Sequence, residues 1–174
     1  MGDLTDAILI RPETASDVGA IFDLTRRAFL GKAYSQGDEQ DLVSALRDQG
    51  ALSVSLVAVL DGRVVGHIAF SPAIAKDGSV GWFALGPLSV EPDRQRQGIG
   101  GRLVREGLAQ LTALRARGCV LIGDTRYYPR HGFVPRPDLA PEGEPANDYM
   151  VLALDGRVPD TTVSFHPIFH GSGG

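Results

Sequence analysis

LSVEPDRQRQGIGG, residues 88–101, is the stretch that says most about this chain. Its core has the form Gln-x-x-Gly-x-Gly. It follows an apolar run typical of a strand and precedes a long amphipathic pattern typical of a helix. Glycines leave the backbone uncovered, so several N–H groups can converge on one anion. The first N–H groups of a helix lack an internal partner, and the helix dipole is positive there. The stretch therefore predicts a site for a pyrophosphate.

Three arginines add positive charge around this loop: Arg94, Arg96 and Arg102. The nucleotide P-loop is excluded, because Gly100 is followed by Gly101 where that motif needs lysine. The dinucleotide fingerprint is excluded as well, because Leu103 stands where its third glycine is needed. The alternative is that the glycines merely form a tight turn between strand and helix.

Pro87 interrupts the apolar run that leads into the loop, Trp82 to Val90. Proline cannot donate to a strand ladder, so it indicates a bulge or a broken pairing. We expect this strand to separate from the later strand at Cys119 to Ile122. The backbone of Leu88 to Val90 would then be exposed, and an amide-bearing ligand arm could pair with it as an added strand. A pyrophosphate joined to an amide-bearing arm describes coenzyme A.

Hydrophobic periodicity predicts the other elements. Strands are expected at residues 7–11, 54–60, 63–71, 82–90, 119–122, 133–134 and 149–154, with an edge strand at 161–165. Helices are expected at 18–29 and at about 99–117, and a second short helix, marked by apolar residues at 42–46, is expected to end near Gly50. Asp61-Gly62 is typical of a two-residue hairpin turn, and Thr14 with Asp17 resembles a capping box. The long helix has one apolar face, formed by Leu103, Val104, Leu108, Leu111 and Leu114.

The fold class follows from the order of these elements. A strand, a crossover helix and a further strand imply parallel pairing at one place. We predict an α+β fold with a central mixed, mostly antiparallel sheet, one parallel splayed strand pair, and flanking helices. The chain of 174 residues is expected to form a single domain, 1–174, with a core at about 8–154 and a C-terminal extension at 155–174.

At this point the sequence resembles the GNAT superfamily of N-acetyltransferases. Gln-Arg-Gln-Gly-Ile-Gly at 95–100 matches that family's pyrophosphate motif, Arg/Gln-x-x-Gly-x-Gly/Ala. Tyr-Pro-Arg-His-Gly-Phe at 128–133 matches its later Tyr-x-x-x-Gly-Phe element. Gly123-Asp124, the paired tyrosines and the tail at 166–169 are similar to the YhbS-like predicted acetyltransferase subgroup. One departure is that only residues 124–131 stand where many members carry a full helix.

The resemblance implies a GNAT-like fold and an N-acetyltransferase that uses acetyl-CoA as cosubstrate and no metal. It implies two sets of cofactor-binding residues. Pantetheine would contact Leu88, Ser89 and Val90, and pyrophosphate would contact Gln95, Arg96, Gln97, Gly98, Ile99, Gly100, Gly101 and the adjacent Arg102.

The chemistry would be direct attack of a neutral primary amine on the thioester in a ternary complex. Tyr128 is the candidate catalytic acid for the leaving thiolate, since its O–H is a donor with a reference pKa near 10. The alternative is that its ring packs and its hydroxyl merely caps a loop. The neighbouring Tyr127 is expected to point into the core. No general base stands out, and a water chain could remove the proton. Three acids near the expected cleft are more typical of solvated surface charges: Asp38, Glu39 and Glu91.

Other reactive side chains favour structural roles. His166 and His170 are four residues apart, but no third ligand follows, so we expect no metal site. His67 lies in a strand and is interpreted as a satisfied core or face residue. Cys119 begins a buried strand, which favours inert packing over nucleophilic attack.

Composition restricts the partners and the location. The 17 basic and 21 acidic residues give a formal charge of −4, which does not attract nucleic acid. The chain starts without a basic, apolar leader and has no apolar stretch long enough to span a bilayer, so we expect a cytoplasmic protein without a membrane partner. The acceptor is either a small-molecule or a protein amine, and a homodimer is one option for the assembly. The competing hypothesis is a non-catalytic CoA-binding sensor or scaffold, which release of free CoA with amines would distinguish.

Overall fold

The computed structural model describes residues 7–170. The helices are α1 (Val18–Phe29), α2 (Glu39–Asp48) and α3 (Ile99–Ala113). The strands are β1 (Leu9–Pro12), β2 (Val54–Leu60), β3 (Arg63–Pro72), β4 (Ile74–Ala75), β5 (Trp82–Val90), β6 (Gly118–Ile122), β7 (Val134–Pro135), β8 (Tyr149–Ala153) and β9 (Val163–Ser164). Residues 1–6, where no leader sequence was expected, lie outside the described chain, and so does the end of the C-terminal extension, residues 171–174.

Seven strands form one sheet in the order β1-β2-β3-β5-β6-β8-β7, and β4 pairs with β9 in a separate two-stranded sheet. Pairing in the main sheet is antiparallel except between β5 and β6, which confirms the predicted mixed α+β fold. The expected edge strand at 161–165 is only partly correct. Its two-residue strand β9 joins Ile74–Ala75, not the main sheet. No helix between residues 7 and 170 is long and apolar enough to cross a membrane.

Contacts divide the chain into two compact units. The first contains the residues up to Phe70 and Pro87–Leu108, and the second contains Ser71–Gly86 and the residues from Ala109 onward. The division at about residue 154 into a core and an extension stays a prediction.

In the first unit, the β2–β3 hairpin turns at Asp61 and Gly62, whose φ angles are 51° and 76°. Both lie in the left-handed region, as expected for a type I′ turn, so the predicted hairpin is confirmed. At the start of α1, the Thr14 N–H donates to the Asp17 carboxylate at 2.7 Å. Hydrogen bonds from the Arg11 guanidinium hold the pKa of the buried Asp17 carboxyl well below its usual range.

α3 ends at Ala113, four residues before the predicted end at 117. The chain leaves the helix through Arg115, whose φ is 60°, and the Ala116 N–H then donates to the Leu111 carbonyl. Leu114 is therefore 57% exposed instead of lying on the inner face, and Ala116 is buried. The predicted end was wrong because the apolar helical spacing continues through Leu114, although the backbone leaves the helix before Arg115.

In the second unit, β6 pairs antiparallel with β8 from Gly118↔Ala153 to Ile122↔Tyr149. A Cβ on Gly118 would overlap the Leu152 carbonyl and the Trp82 ring, so only glycine fits where β6 begins. The Tyr149 hydroxyl donates to the Val163 carbonyl at 2.8 Å and anchors the segment that contains β9.

Candidate functional site

The parallel ladder between β5 and β6 is short. It contains the pairs Trp82↔Gly118, Phe83↔Cys119 and Ala84↔Val120, and it ends three residues before Pro87. Gly86 lies in between with a φ of 140°, a conformation that side-chain-bearing residues rarely adopt. The prediction that this ladder ends before Val90 is confirmed.

The burial of β5 changes phase at the same place. Trp82 and Ala84 are buried, as alternation requires, but the next buried residues are Leu85, Pro87 and Ser89. A one-residue change of phase is what a β-bulge produces, because one extra residue turns all later side chains to the other face. The sequence signal was Pro87, which the backbone accommodates with the help of Gly86.

Glu91 anchors the chain where β5 becomes a loop. Its N–H donates to the Val65 carbonyl at 2.8 Å, and its carbonyl accepts the Arg94 N–H at 2.8 Å. Its carboxylate accepts two hydrogen bonds from the Arg27 guanidinium of α1, at 2.9 and 2.8 Å. Glu91 is thus part of the support of the loop instead of a free surface acid.

The glycine loop, defined as residues 91–98, enters α3 through a strained turn. Arg96 has a φ of 66° and Gly98 a φ of 87°. The Gln95 side-chain amide donates back to the Val90 carbonyl at 3.2 Å. The Arg102 N–H makes the first i→i−4 bond, to the Gly98 carbonyl at 3.1 Å, so the amides of residues 98–101 are those the helix cannot satisfy itself. A left-handed non-glycine residue is typical of a functional loop.

The three arginines near the glycine loop, Arg94, Arg96 and Arg102, differ in their interactions. Within residues 7–170, neither Arg94 nor Arg96 forms an ion pair, so both leave positive charge near the amides. The Arg102 guanidinium instead donates to the Ile8 carbonyl at 3.0 Å and fastens α3 to the chain before β1. Its inclusion among the pyrophosphate contacts stays a prediction, as do those of the other loop residues.

Residues 123–133, here called the tyrosine segment, belong to the second unit. A single 3₁₀ turn, Tyr128–His131, stands where related proteins were expected to carry a helix. The ring of Tyr128 meets the rings of Tyr127 and Phe133 edge-on, with centroid distances of 5.0 and 5.9 Å. A Cβ on Gly123 would lie 2.6 Å from Tyr128 Cε2, so glycine is needed to admit this ring.

Tyr127 is half-buried, not in the core as expected. The Arg130 guanidinium lies over its ring, 4.7 Å from the centroid. Phe133 is the segment's fully buried aromatic residue, with 1% exposure. The segment therefore fixes the Tyr128 ring from three sides while leaving its neighbour partly exposed.

The remaining candidates differ in their surroundings. Asp38 is exposed, and Glu39 is half-buried and accepts a hydrogen bond from the Ser35 hydroxyl. Burial raises the pKa of the Cys119 thiol, which agrees with an inert packing role. His166 Nδ1 accepts the Ile168 N–H at 3.2 Å, while the side chain of His170 lies outside the described residues.

Sequence reasoning missed one buried polar cluster, in the first unit. The His67 cluster consists of Glu13, Arg47, Ser55 and His67. His67 Nε2 lies 2.8 Å from the Ser55 hydroxyl, which also contacts the Glu13 carboxylate. His67 was interpreted as satisfied, yet its Nδ1 has no hydrogen-bond partner among the described residues. The four polar residues are far apart in sequence and belong to no recognisable motif, so the sequence carried no signal of the cluster.

The fold and the loop together define a class: an α+β domain with a glycine-containing turn between a bulged strand and a helix. Residues 51–135 match the family described as acetyltransferase (GNAT) domain. The chain is also 38% identical over 127 residues to the uncharacterized N-acetyltransferase YhbS of Escherichia coli K12, an alignment covering 72% of this chain and 73% of the relative. The chain belongs to the GNAT family of acetyltransferases.

Two solved structures are similar over nearly the whole chain. A GNAT family acetyltransferase from Brucella melitensis, in complex with acetyl-CoA, is 45% identical with a TM-score of 0.83, and the match covers 93% of this chain and 97% of that one. YhbS from Escherichia coli, in complex with CoA, is 32% identical with a TM-score of 0.86, covering 96% and 94%.

Proposed function

We propose that this protein transfers the acetyl group of acetyl-CoA to a primary amine by direct attack in a ternary complex. The observation that carries this proposal is the glycine loop. Together with the first residues of α3, it presents the amides of residues 98–101, which the helix cannot satisfy itself, and the charges of Arg94 and Arg96, neither of which forms an ion pair within residues 7–170. Several N–H donors at a helix N-terminus form an anion site that suits a pyrophosphate. The Brucella and Escherichia relatives, solved with acetyl-CoA and CoA, support the same ligand.

The pantetheine arm would run along Leu88 to Val90. These residues follow the end of the parallel ladder at Ala84↔Val120 and the bulge at Gly86. Extended ligand amides bind strand backbone in the manner of an added strand, and this mode needs little from the side chains. The short ladder is therefore the feature that supports this placement.

Tyr128 would donate a proton or hydrogen bond to the leaving thiolate. A tyrosine hydroxyl is a suitable donor because it stays protonated at neutral pH. The contacts with Gly123 and Phe133 hold the ring in one orientation, which an acid needs for its hydrogen to be positioned. The position of Tyr128 ahead of Gly132-Phe133 also fits the family's pattern.

The test combines binding with turnover. Calorimetry should show that the wild-type protein binds CoA, and a panel of amines with acetyl-CoA should release free thiol with at least one primary amine. The panel should include small amines, lysine-containing peptides and peptides with free N-termini. Binding of CoA without thiol release across the panel would instead favour the non-catalytic sensor. Absence of CoA binding would refute the assignment of the loop.

A further inference from the structure

The His67 cluster has a defined set of hydrogen bonds. Arg47 donates two hydrogen bonds to the Glu13 carboxylate, at 2.9 and 3.1 Å. Burial opposes ionisation of Glu13, but the hydrogen bonds from Arg47 and Ser55 outweigh it and lower the pKa of this carboxyl. Glu13 is therefore ionised at neutral pH and accepts only.

This arrangement fixes the tautomer of His67. Ser55 has one hydroxyl hydrogen, and Glu13, which cannot donate, takes it. The Ser55 oxygen must then accept the hydrogen carried by His67 Nε2, 2.8 Å away. His67 Nδ1 is left as a bare, basic nitrogen. It is fully buried and has no hydrogen-bond partner among the described residues.

A second unsatisfied polar atom belongs to β5. The Ser89 hydroxyl is 1% exposed and also has no partner in the described chain. The Glu91 N–H bonds to the Val65 carbonyl, so two steps along each antiparallel strand bring Ser89 opposite His67, on the same face. Opposed side chains have Cβ atoms roughly 5 Å apart, a gap that one water can bridge. The strand register therefore places two residues with orphaned polar atoms opposite each other, beside the proposed pantetheine strand.

We propose that Ser89 and His67 carry away the proton that the acceptor amine must lose, with Ser55 and Glu13 completing the path. This inference rests on the proposed acetyl transfer, because it assigns the missing proton acceptor of that reaction. His67 is a positioning residue in this scheme, since it acts through Ser89 and does not touch the amine.

The protonated amine passes one proton to Ser89 Oγ, which releases its own hydrogen through the bridging water to His67 Nδ1, and the neutral nitrogen then forms a bond to the thioester carbonyl carbon. His67 gives up the Nε2 hydrogen to Ser55, and Ser55 gives its hydrogen to the Glu13 carboxylate. The C–S bond then breaks and the sulfur keeps the electron pair. Tyr128 gives this thiolate a proton and regains one from the nitrogen, so the products are the amide and CoA.

The electrostatic environment keeps His67 neutral at rest, so it can pass a proton on but does not hold an extra one at neutral pH. Burial lowers the pKa of His67 to about 4, with Glu13 opposing the shift and Arg47 adding to it. Glu13, after β1, and Arg47, on α2, are the charged groups that act on the ring within the described residues. His67 is thus neutral and able to accept at pH 7. Glu13, Arg47 and Ser55 also line a surface groove, where the proton can leave to water.

The first experiment compares two serines. Ser89→Ala removes the relay hydroxyl, and Ser71→Ala makes the same change at another fully buried hydroxyl without a partner in the described chain. We expect kcat to fall about tenfold to a hundredfold in Ser89→Ala, at the low end of general-base effects, and to stay unchanged in Ser71→Ala. CoA affinity should be that of the wild type in both.

The second experiment measures the pH profile of His67→Gln, which keeps a hydrogen for Ser55 but lacks a basic nitrogen. Without the relay, the amine must lose its proton to bulk water. The deficit in kcat/KM should therefore be large at pH 7 and shrink toward pH 10, near the reference pKa of an alkylamine. A structural defect would not be rescued by pH. Wild-type turnover of both variants at pH 7, or a deficit independent of pH, would overturn the relay. Loss of CoA binding in the wild type would instead overturn the acetyl-CoA assignment.

Discussion

The glycine loop and the tyrosine segment are built in opposite ways. Residues 91–98 are mostly exposed, and what they offer is backbone amides, strained turns and two arginines without an ion pair in the described part of the chain. Residues 123–133 consist of rings in edge-on contact, with Phe133 buried and a glycine at 123 making room for Tyr128. The first region depends on where the main chain goes, and the second depends on which side chains fit together.

This difference predicts which substitutions each region tolerates. A backbone-built anion site tolerates changes of neighbouring side chains but not a side chain placed among its amides. A ring-packed segment tolerates exposed charge changes but not extra volume. The variants below separate these two behaviours.

The largest effect is expected from Gly100→Asp, which places a carboxylate among the amides at the start of α3. This carboxylate would take the amides from the pyrophosphate and repel it, and leaving the ligand's charge without its partners costs about 3–5 kcal/mol, so CoA affinity should fall by about a thousandfold, as measured by calorimetry. Gly19→Asp is the matched control, because Gly19 is also the second residue of its helix and is exposed. Both variants should remain folded, since acids are favourable in a first turn. Unchanged affinity in Gly100→Asp would remove the loop from the site.

Tyr128→Phe tests the chemistry of the side-chain-built region, because it removes one hydroxyl and keeps the ring contacts. We expect kcat to fall by roughly ten- to a thousandfold if the hydroxyl assists the thiolate, with CoA affinity nearly unchanged. Tyr127→Phe is the control and should retain wild-type kcat. Lowered affinity with normal turnover would mean that Tyr128 packs against the cofactor instead.

Gly123→Ala tests the packing of the same segment. The new Cβ would lie 2.6 Å from Tyr128 Cε2 and 3.2 Å from Leu121 Cδ1, so the ring must move. We expect a loss of about 1–3 kcal/mol in the free energy of unfolding, measured by denaturant titration. Gly19→Ala should do the opposite and add up to about 1 kcal/mol, because its Cβ meets nothing within 4 Å in an exposed helix. Equal free energies of unfolding for Gly123→Ala and Gly19→Ala would show that the tyrosine segment accommodates the added methyl group without destabilisation.

The smallest effect compares one exposed ion pair from each region. Arg27→Ala removes the bidentate support of Glu91, so the loop should bind CoA more weakly by up to about fivefold, in line with about 0.2–1 kcal/mol for such pairs. Arg126→Ala breaks the exposed pair with Asp124 and should leave CoA affinity unchanged. Equal losses in both variants would argue that general charge, and not the support of Glu91, sets the affinity.

Local signals predicted much of this fold. The hairpin at Asp61-Gly62, the strand before the loop and the replacement of a helix by the 3₁₀ turn at Tyr128–His131 all depend on residues close together in sequence. The end of α3 was predicted wrongly, because Arg115 adopts a left-handed conformation that its residue type does not favour. The surroundings of Tyr128 could not be predicted either, since the space for its ring depends on Gly123 and Phe133 meeting in three dimensions.

The sequence alone determined the class of protein, because the glycine loop, the hairpin turn and the hydrophobic periods are local properties of the chain. Only the tertiary structure decided the neighbours of His67. Counted from the hairpin pair Leu60↔Arg63, regular pairing would place His67 opposite Leu56, but the register shifts at Val65 and pairs it with Val57. A shift of one residue turns a side chain to the other face of the sheet. The bulge therefore brings His67 to the face of Ser55, and no local pattern encodes it.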